Sequence, residues 1–187
     1  MRRTVAGTII GMIMLLASAG VLYAYFSAVS TSPNNVFASG KMEMQLSKDN
    51  ATFANTVSAA FGGTGLIPGS CLNPGTLYIK NTGTIESDDM NVSATNTNPG
   101  LASFLRLDSL TYDGNPVSIQ DANTNGFMDL ADLQTKGIAN LPLADHQPTH
   151  LLSMKVCLDT TAGNAQQDQT NTMELTVTLD QAPPSTQ

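Results

Sequence analysis

The chain has 187 residues, of which 41% are hydrophobic and 12% charged. That is enough apolar material for one ordinary domain with a core, and too much for a chain disordered throughout. Eight Lys and Arg stand against fifteen Asp and Glu, aromatics make up 5% and tryptophan is absent, so the composition argues against phosphate binding and base stacking, and nucleic acid is not an expected partner.

The N-terminus sets the expected compartment. Met1-Arg2-Arg3 is followed by "TVAGTIIGMIMLLASAGVLYAYF", which holds no charge through Phe26; a short positive region before an apolar run is a segment that enters a membrane. Two readings follow. Residues 1–24 form a secretory signal cut after Ala24, within "LYA|YFS", or the segment stays as an uncleaved helix, since about 20 apolar residues span a bilayer. The cleaved reading is preferred: signal peptidase is then a processing partner, and the membrane is met only through the precursor. Losing Arg2 and Arg3 takes the formal net charge from −7 to −9, an acidic exterior that suits an extracellular protein and discourages binding to anionic membranes.

Residues 25–36 are small and polar with Pro33 as a breaker, and read as a linker. The domain proper is expected over 37–181. It opens with "FASGKMEMQLS", where Met42, Met44 and Leu46 alternate with Lys41, Glu43 and Gln45, the period of a half-buried strand running from Phe37 to Leu46. "GGTGLIPGSCLNPG" (62–75) is a loop holding Cys71. "TLYIKNTGT" predicts a strand ending in an Asn-Thr-Gly turn. "MNVSAT" and "FLRLDSLTY" predict two more, the second running into the Asp-Gly of "DGNP". Leu152, Met154, Val156 and Leu158 then share one face against Ser153, Lys155 and Cys157. Met173, Leu175, Val177 and Leu179 alternate with Thr172, Glu174, Thr176 and Thr178. The polar "DTTAGNAQQDQTN" between those strands reads as a flexible hairpin loop, and 182–187 as a disordered tail. With no helix of ordinary length after the signal, the expected fold is all-β: an antiparallel sandwich, jelly-roll-like or immunoglobulin-like.

Cys71 and Cys157 are the only cysteines. In an exported chain they form a disulfide more readily than two free thiols, and two unpaired buried cysteines are the alternative. Cys157 points away from the apolar face of its strand, so a bridge is expected to pin the 62–75 loop across an outer face or an edge.

"DANTNGFMDLAD" (121–132) carries a more specific chemistry. Asp121, Asn123, Asn125, Gly126, Asp129 and Asp132 fall at positions 1, 3, 5, 6, 9 and 12 of an EF-hand-type loop, with the Phe127 carbonyl at position 7. A hard cation needs converging oxygens, and a glycine at position 6 allows the sharp bend. Structural Ca²⁺ is the expected cofactor, of modest affinity because position 12 is Asp rather than Glu and no amphipathic helix leads in. Catalytic residues are not expected. His146 and His150 in "HQPTH" have Pro148 between them and no Glu after His146, and read as exposed loop. Asp88 and Asp89 are adjacent, so in a regular strand they face opposite ways and do not cooperate. Asn50 and Asn91 lie in "NAT" and "NVS", candidate glycosylation sequons.

Three stretches together resemble the TasA/camelysin family of secreted fibre subunits: "LYAYFS" at the expected cut, "FASGKMEMQLS" (37–47), and "LIPGSCLNPGTLYIKNTGTI" (66–85). They span about the first half of the chain; Cys71, Cys157 and the 121–132 loop depart from the family pattern. The resemblance implies an exported jelly-roll-like domain that polymerises with copies of itself into a bundling pilus or biofilm-matrix fibre. The metalloprotease activity attached to the camelysin label finds no zinc ligands here. It further implies donor-strand complementation, in which Tyr25, Phe26 and Val29 anchor an N-terminal strand in the next subunit. The competing reading is a membrane-anchored or secreted calcium-stabilised binding or adhesion module, and the few aromatics argue against carbohydrate as its ligand.

Overall fold

The computed structural model describes residues 39–85, 87–143 and 149–181. The expected signal with its cut after Ala24, the donor residues Tyr25, Phe26 and Val29, His146, and the tail 182–187 lie outside them.

The described residues form strands β1 (Met44–Ser47), β2 (Gly75–Asn81), β3 (Ser87–Asn96), β4 (Leu105–Tyr112), β5 (Asn115–Pro116), β6 (Ile138–Pro142), β7 (His150–Leu158) and β8 (Met173–Gln181). Two short helices, α1 (Pro99–Ala102) and α2 (Leu130–Lys136), complete them with one 3-10 turn at Asn164–Gln166. All strand pairs are antiparallel. They make a five-stranded sheet in the order β1–β2–β7–β4–β5 and a three-stranded sheet in the order β6–β3–β8.

Period-two alternation decides what each strand buries. Leu77 and Ile79 of β2, Leu152 and Met154 of β7, and Leu110 and Tyr112 of β4 come from the larger sheet; Met90, Val92 and Ala94 of β3 and Ile138 and Leu141 of β6 come from the smaller. All belong to one apolar cluster. Two sheets sharing one core is the layered arrangement expected of an all-β chain. The Tyr112 hydroxyl joins the sheets by donating to the Pro142 carbonyl at 2.6 Å.

Local chemistry sets the connections. Asp113 and Gly114 both have positive φ, 52° and 79°, the conformation a two-residue hairpin turn needs and the one this dipeptide tolerates. That turn joins β4 to β5. A bulge between Leu107 and Ser109 shifts the phase of β4, so that Leu105, Leu107, Leu110 and Tyr112 are all buried although their spacing is not uniform.

Several expectations are corrected. The first strand is four residues long, because the carbonyls of Lys41 and Glu43 accept from the backbone of the 82–85 turn. A Cβ at Gly83 would run into the Lys41 carbonyl, which is why the Asn-Thr-Gly turn ends in glycine. β7 and β8 do not form a hairpin: they lie in different sheets, and 159–172 crosses between them. The period of a strand says which face is buried and leaves its neighbour open. The crossover is turned by Asp159, whose Oδ1 accepts from Thr161 N at 2.8 Å and Thr161 Oγ1 at 2.6 Å.

His150 is not exposed loop. It opens β7 with its side chain 14% exposed, its Nδ1 lies 2.7 Å from Asp113 Oδ2, and its ring stacks on Tyr112. Asp88 and Asp89 also escape the simple rule. A bulge between Ser87 and Asp89 breaks the alternation, and Asp89 has its carboxyl pushed up, chiefly by desolvation and then by the charges of Asp180 and Asp88.

Candidate functional site: an open edge, a calcium-type loop and a disulfide

Edges of sheets are where a chain can pair with another chain. Three of the four sheet edges among the described residues are guarded. β1 is bridged by Ala54 through two backbone hydrogen bonds with Leu46, of 2.8 and 2.9 Å. β5 is two residues long and contains Pro116. β6 has five residues, with Asn140 at φ 57° and Pro142 at its end.

β8 differs. It runs for nine residues and, among the described residues, pairs only with β3. Its charges, Glu174 and Asp180, sit near its two ends, leaving "LTVTL" (175–179) uncharged between them. Met173, Leu175, Val177 and Leu179 point toward the core but are only half-buried, whereas their β3 counterparts Met90, Val92 and Ala94 are 0%, 1% and 4% exposed. The apolar row on β8 is therefore incompletely covered. An uncharged β-branched segment with an unpaired backbone edge is the composition that adds strands most readily.

The 121–132 loop folds as a tight turn that leads straight into α2. Gly126 has φ 95°, the conformation that makes glycine the residue for this slot. Asp121 accepts from the backbone of Asn125 at 3.2 Å and Gly126 at 2.8 Å. Asp129 caps α2: its Oδ1 accepts from Ala131 N and Asp132 N, and the Asp132 carboxylate returns to Asp129 N in a capping box. Asp129 Oδ2 accepts from the side-chain amides of Asn123 at 2.8 Å and Asn125 at 2.7 Å. Asp132 Oδ1 reaches back to Ala122 N at 2.8 Å. Asp129 and Asp132 are both fully buried, so the five side chains named for the cation form one hydrogen-bonded unit. Phe127 N donates to Asn125 Oδ1. The exiting helix was not foreseen. Its signals are Asp129 three residues before Asp132, apolar Leu130 and Leu133, and Gly137 at the C-cap with φ 62°.

The loop is tied to the larger sheet. Leu107 N donates to Met128 O at 2.8 Å, Arg106 bridges to Asp129, and Asn125 Nδ2 donates to Ser103 O at 3.2 Å. It occupies the flank of β4 that the short β5 leaves bare.

Cys71 and Cys157 are disulfide-bonded. They face each other across an antiparallel bridge, and Gly69, Ser70 and Leu72 pair with Val156 and Leu158, so 69–72 continues the sheet beside β7. Cys157 is 1% exposed and Cys71 is exposed. Asp108 lies close to both sulfurs, but sulfurs spent in a disulfide have no thiolate to offer a metal. Asp108 is instead held below the usual carboxylate range, first by its bond to Lys155 at 2.7 Å. A disulfide belongs to an oxidising compartment, extracellular or periplasmic.

Of the two sequons, Asn50 is exposed at φ 58° in a turn pinned by Asp49. Asn91 is engaged on both sides of its amide, by Asp180 and by Asn140 N. No helix among the described residues is long and apolar enough to cross a membrane. No protein-family model matches this chain, and no curated protein matches it.

Proposed function

We propose that the chain is a structural subunit of an extracellular filament, a bundling pilus or biofilm-matrix fibre. Residues 25–36 of one copy, carrying Tyr25, Phe26 and Val29, add a strand to the next. The observation that carries this reading is β8, a nine-residue edge with an apolar row left half-covered. A donor strand there would satisfy the edge backbone and bury the row together, the two contributions that strand addition combines. The resemblance to TasA/camelysin subunits supplies the donor, and a jelly-roll-like sandwich is the architecture this reading takes. No enzymatic role is assigned. Polymerisation waits for signal peptidase, because before the cut the donor is tethered in the membrane.

The test is negative-stain electron microscopy of protein beginning at Tyr25 beside protein beginning at Phe37. Filaments are expected from the first and monomers from the second. Filaments from both would remove 25–36 as donor, and monomers from both would remove the filament.

The 121–132 loop enters as a calcium staple. Asn123 and Asn125 donate their amide NH₂ groups to Asp129 Oδ2, while their Oδ1 atoms accept from Asn125 N and Phe127 N and each keeps a second lone pair for a cation. Ca²⁺ would then take oxygens from Asp121, Asn123, Asn125, Asp129 and Asp132 with the Phe127 carbonyl. Site charge and the Asp at position 12 suggest a Kd on the order of 10⁻⁴ M, as in extracellular modules. At about 10 mM Ca²⁺ that linkage stabilises the fold by about 2.7 kcal/mol. Thermal unfolding with Ca²⁺ and with EDTA should differ by roughly 5–10 °C, and equal melting temperatures would remove the metal.

A further inference from the structure

The disulfide has a carboxylate beside it, and the strand geometry explains why. In the ladder between β4 and β7, Leu107 faces Val156 and Ser109 faces Lys155, so Asp108 is the extra residue of the β4 bulge. A bulge re-aims the side chain it carries. Here it brings the Asp108 carboxylate to within 4.8 Å of both Cys71 Sγ and Cys157 Sγ. The opposition of the two cysteines does not depend on the bond between them. Gly69 N donates to Leu158 O at 2.8 Å, Leu158 N to Ser70 O at 2.9 Å and Leu72 N to Val156 O at 2.9 Å, so the backbone keeps Cys71 opposite Cys157 once the bond is opened. Cys71 and Asp108 are both exposed, which gives a reductant and a cation access from the same side. Asp108 is paired with Lys155 at 2.7 Å and Arg106 at 3.5 Å. All three side chains are partly exposed, and ion pairs of that kind contribute little, so both cations can swing away into water.

We propose that reduction converts this bridge into a zinc site, with the thiolates of Cys71 and Cys157 and the carboxylate of Asp108 as three ligands and water as the fourth. Two thiolates with one carboxylate suit Zn²⁺, whereas Ca²⁺ and Mg²⁺ take oxygen alone. Tetrahedral bonds of about 2.3 Å place the sulfurs about 3.8 Å apart, a separation that rotation of the two facing side chains supplies. A phosphine and one water break the S–S bond, giving two thiols and a phosphine oxide; Zn²⁺ then displaces the two thiol protons. A disulfide oxidant reverses the change. The two thiolates give up two electrons and re-form the bridge, the oxidant becomes two thiolates, and Zn²⁺ leaves with its charge unchanged. Metal and bridge therefore exclude each other, and the metal belongs to the chain before it reaches an oxidising compartment or after it is reduced. The site is independent of strand addition, because β7 and β8 lie in different sheets.

Cobalt tests this directly, because Co²⁺ occupies zinc sites and a thiolate bound to it gives a charge-transfer band in the near ultraviolet. Protein expressed from the full-length chain is reduced with a phosphine, which brings no thiol to compete for metal, and titrated with Co²⁺ and then Zn²⁺ without oxygen. The band is expected from reduced protein, not from oxidised protein, and Zn²⁺ should bleach it. Cys71→Ser should remove most of it. Asp108→Asn keeps the size of the side chain without its charge and should weaken Co²⁺ binding about tenfold or more, the loss that follows even from removing an outer-shell partner. That variant also separates a folded site from an unfolded chain, whose two cysteines would bind metal without regard to Asp108. At about 100 times its Kd, Zn²⁺ should raise the melting temperature of reduced protein by roughly 5–10 °C and leave oxidised protein unchanged. No charge-transfer band on reduction, equal binding by Asp108→Asn, or the same thermal shift with oxidised and reduced protein would overturn the proposal.

Discussion

Val177→Lys should abolish filament formation while leaving the monomer folded. Val177 lies in the middle of the half-buried row of β8, opposite Val92 of β3, the one strand that pairs with β8 among the described residues. Because the row is half-covered, the lysine stem can lie along it and carry the ammonium out through the open side to water. The monomer then keeps its circular dichroism and loses little stability. A donor strand closing the same side would trap the charge against apolar surface, which costs several kcal/mol unless it is paired. An inward-pointing charge on an edge strand is also the device by which β proteins prevent edge-to-edge association. Thr176→Lys is the control: its side chain points to the exposed outer face of the same strand, so the backbone edge and the apolar row stay available and filaments should persist. Filaments from Val177→Lys would mean that the acceptor is not β8, whatever the fate of the donor.

The difference between those two neighbouring residues was legible in the sequence, and the role of the strand was not. Clean alternation from Met173 to Leu179 shows which side chains face a core. Whether that core-facing row is fully covered depends on how many strands flank it, which is a property of topology. The same limit explains β7 and β8. Both strands are readable one at a time, and the polar stretch between them looks like a hairpin until the structure puts them in different sheets.

Turn chemistry read best where a dipeptide has few alternatives. Asp113-Gly114 requires positive φ at both residues and gets it, and Gly83 is fixed by a backbone approach that only its hydrogen allows. Bulges were invisible, because they answer to the partner strand. The break in alternation between Ser87 and Asp89 arises in that way, and Leu107 and Leu110 keep one face across an odd spacing. In the 121–132 loop the spacing of oxygen-bearing residues named the side chains that converge. The helix behind it was missed, since seven residues give too short a period to stand out from a loop.

The second large effect concerns the bridge that holds this part of the molecule. Replacing Cys71 by serine together with Cys157 by alanine should destabilise the domain by about 4 to 5 kcal/mol, the chain-entropy value for a loop of this length, the two residues being separated by 86 positions. Alanine is chosen at 157 because that site is 1% exposed, where a hydroxyl would add its own desolvation penalty. The melting temperature should fall by roughly 10–20 °C, and reducing the unaltered protein with a thiol should reproduce the fall, since Cys71 is exposed to reagent. The folded sheet itself should survive both treatments at low temperature: 69–72 keeps its backbone bonds to Val156 and Leu158, of 2.8 to 2.9 Å, and Met154 and Leu152 remain covered by β2 and β4. A fall of less than about 1 kcal/mol would place the stabilisation elsewhere, in an unfolded chain that retains contact between these segments without the bond.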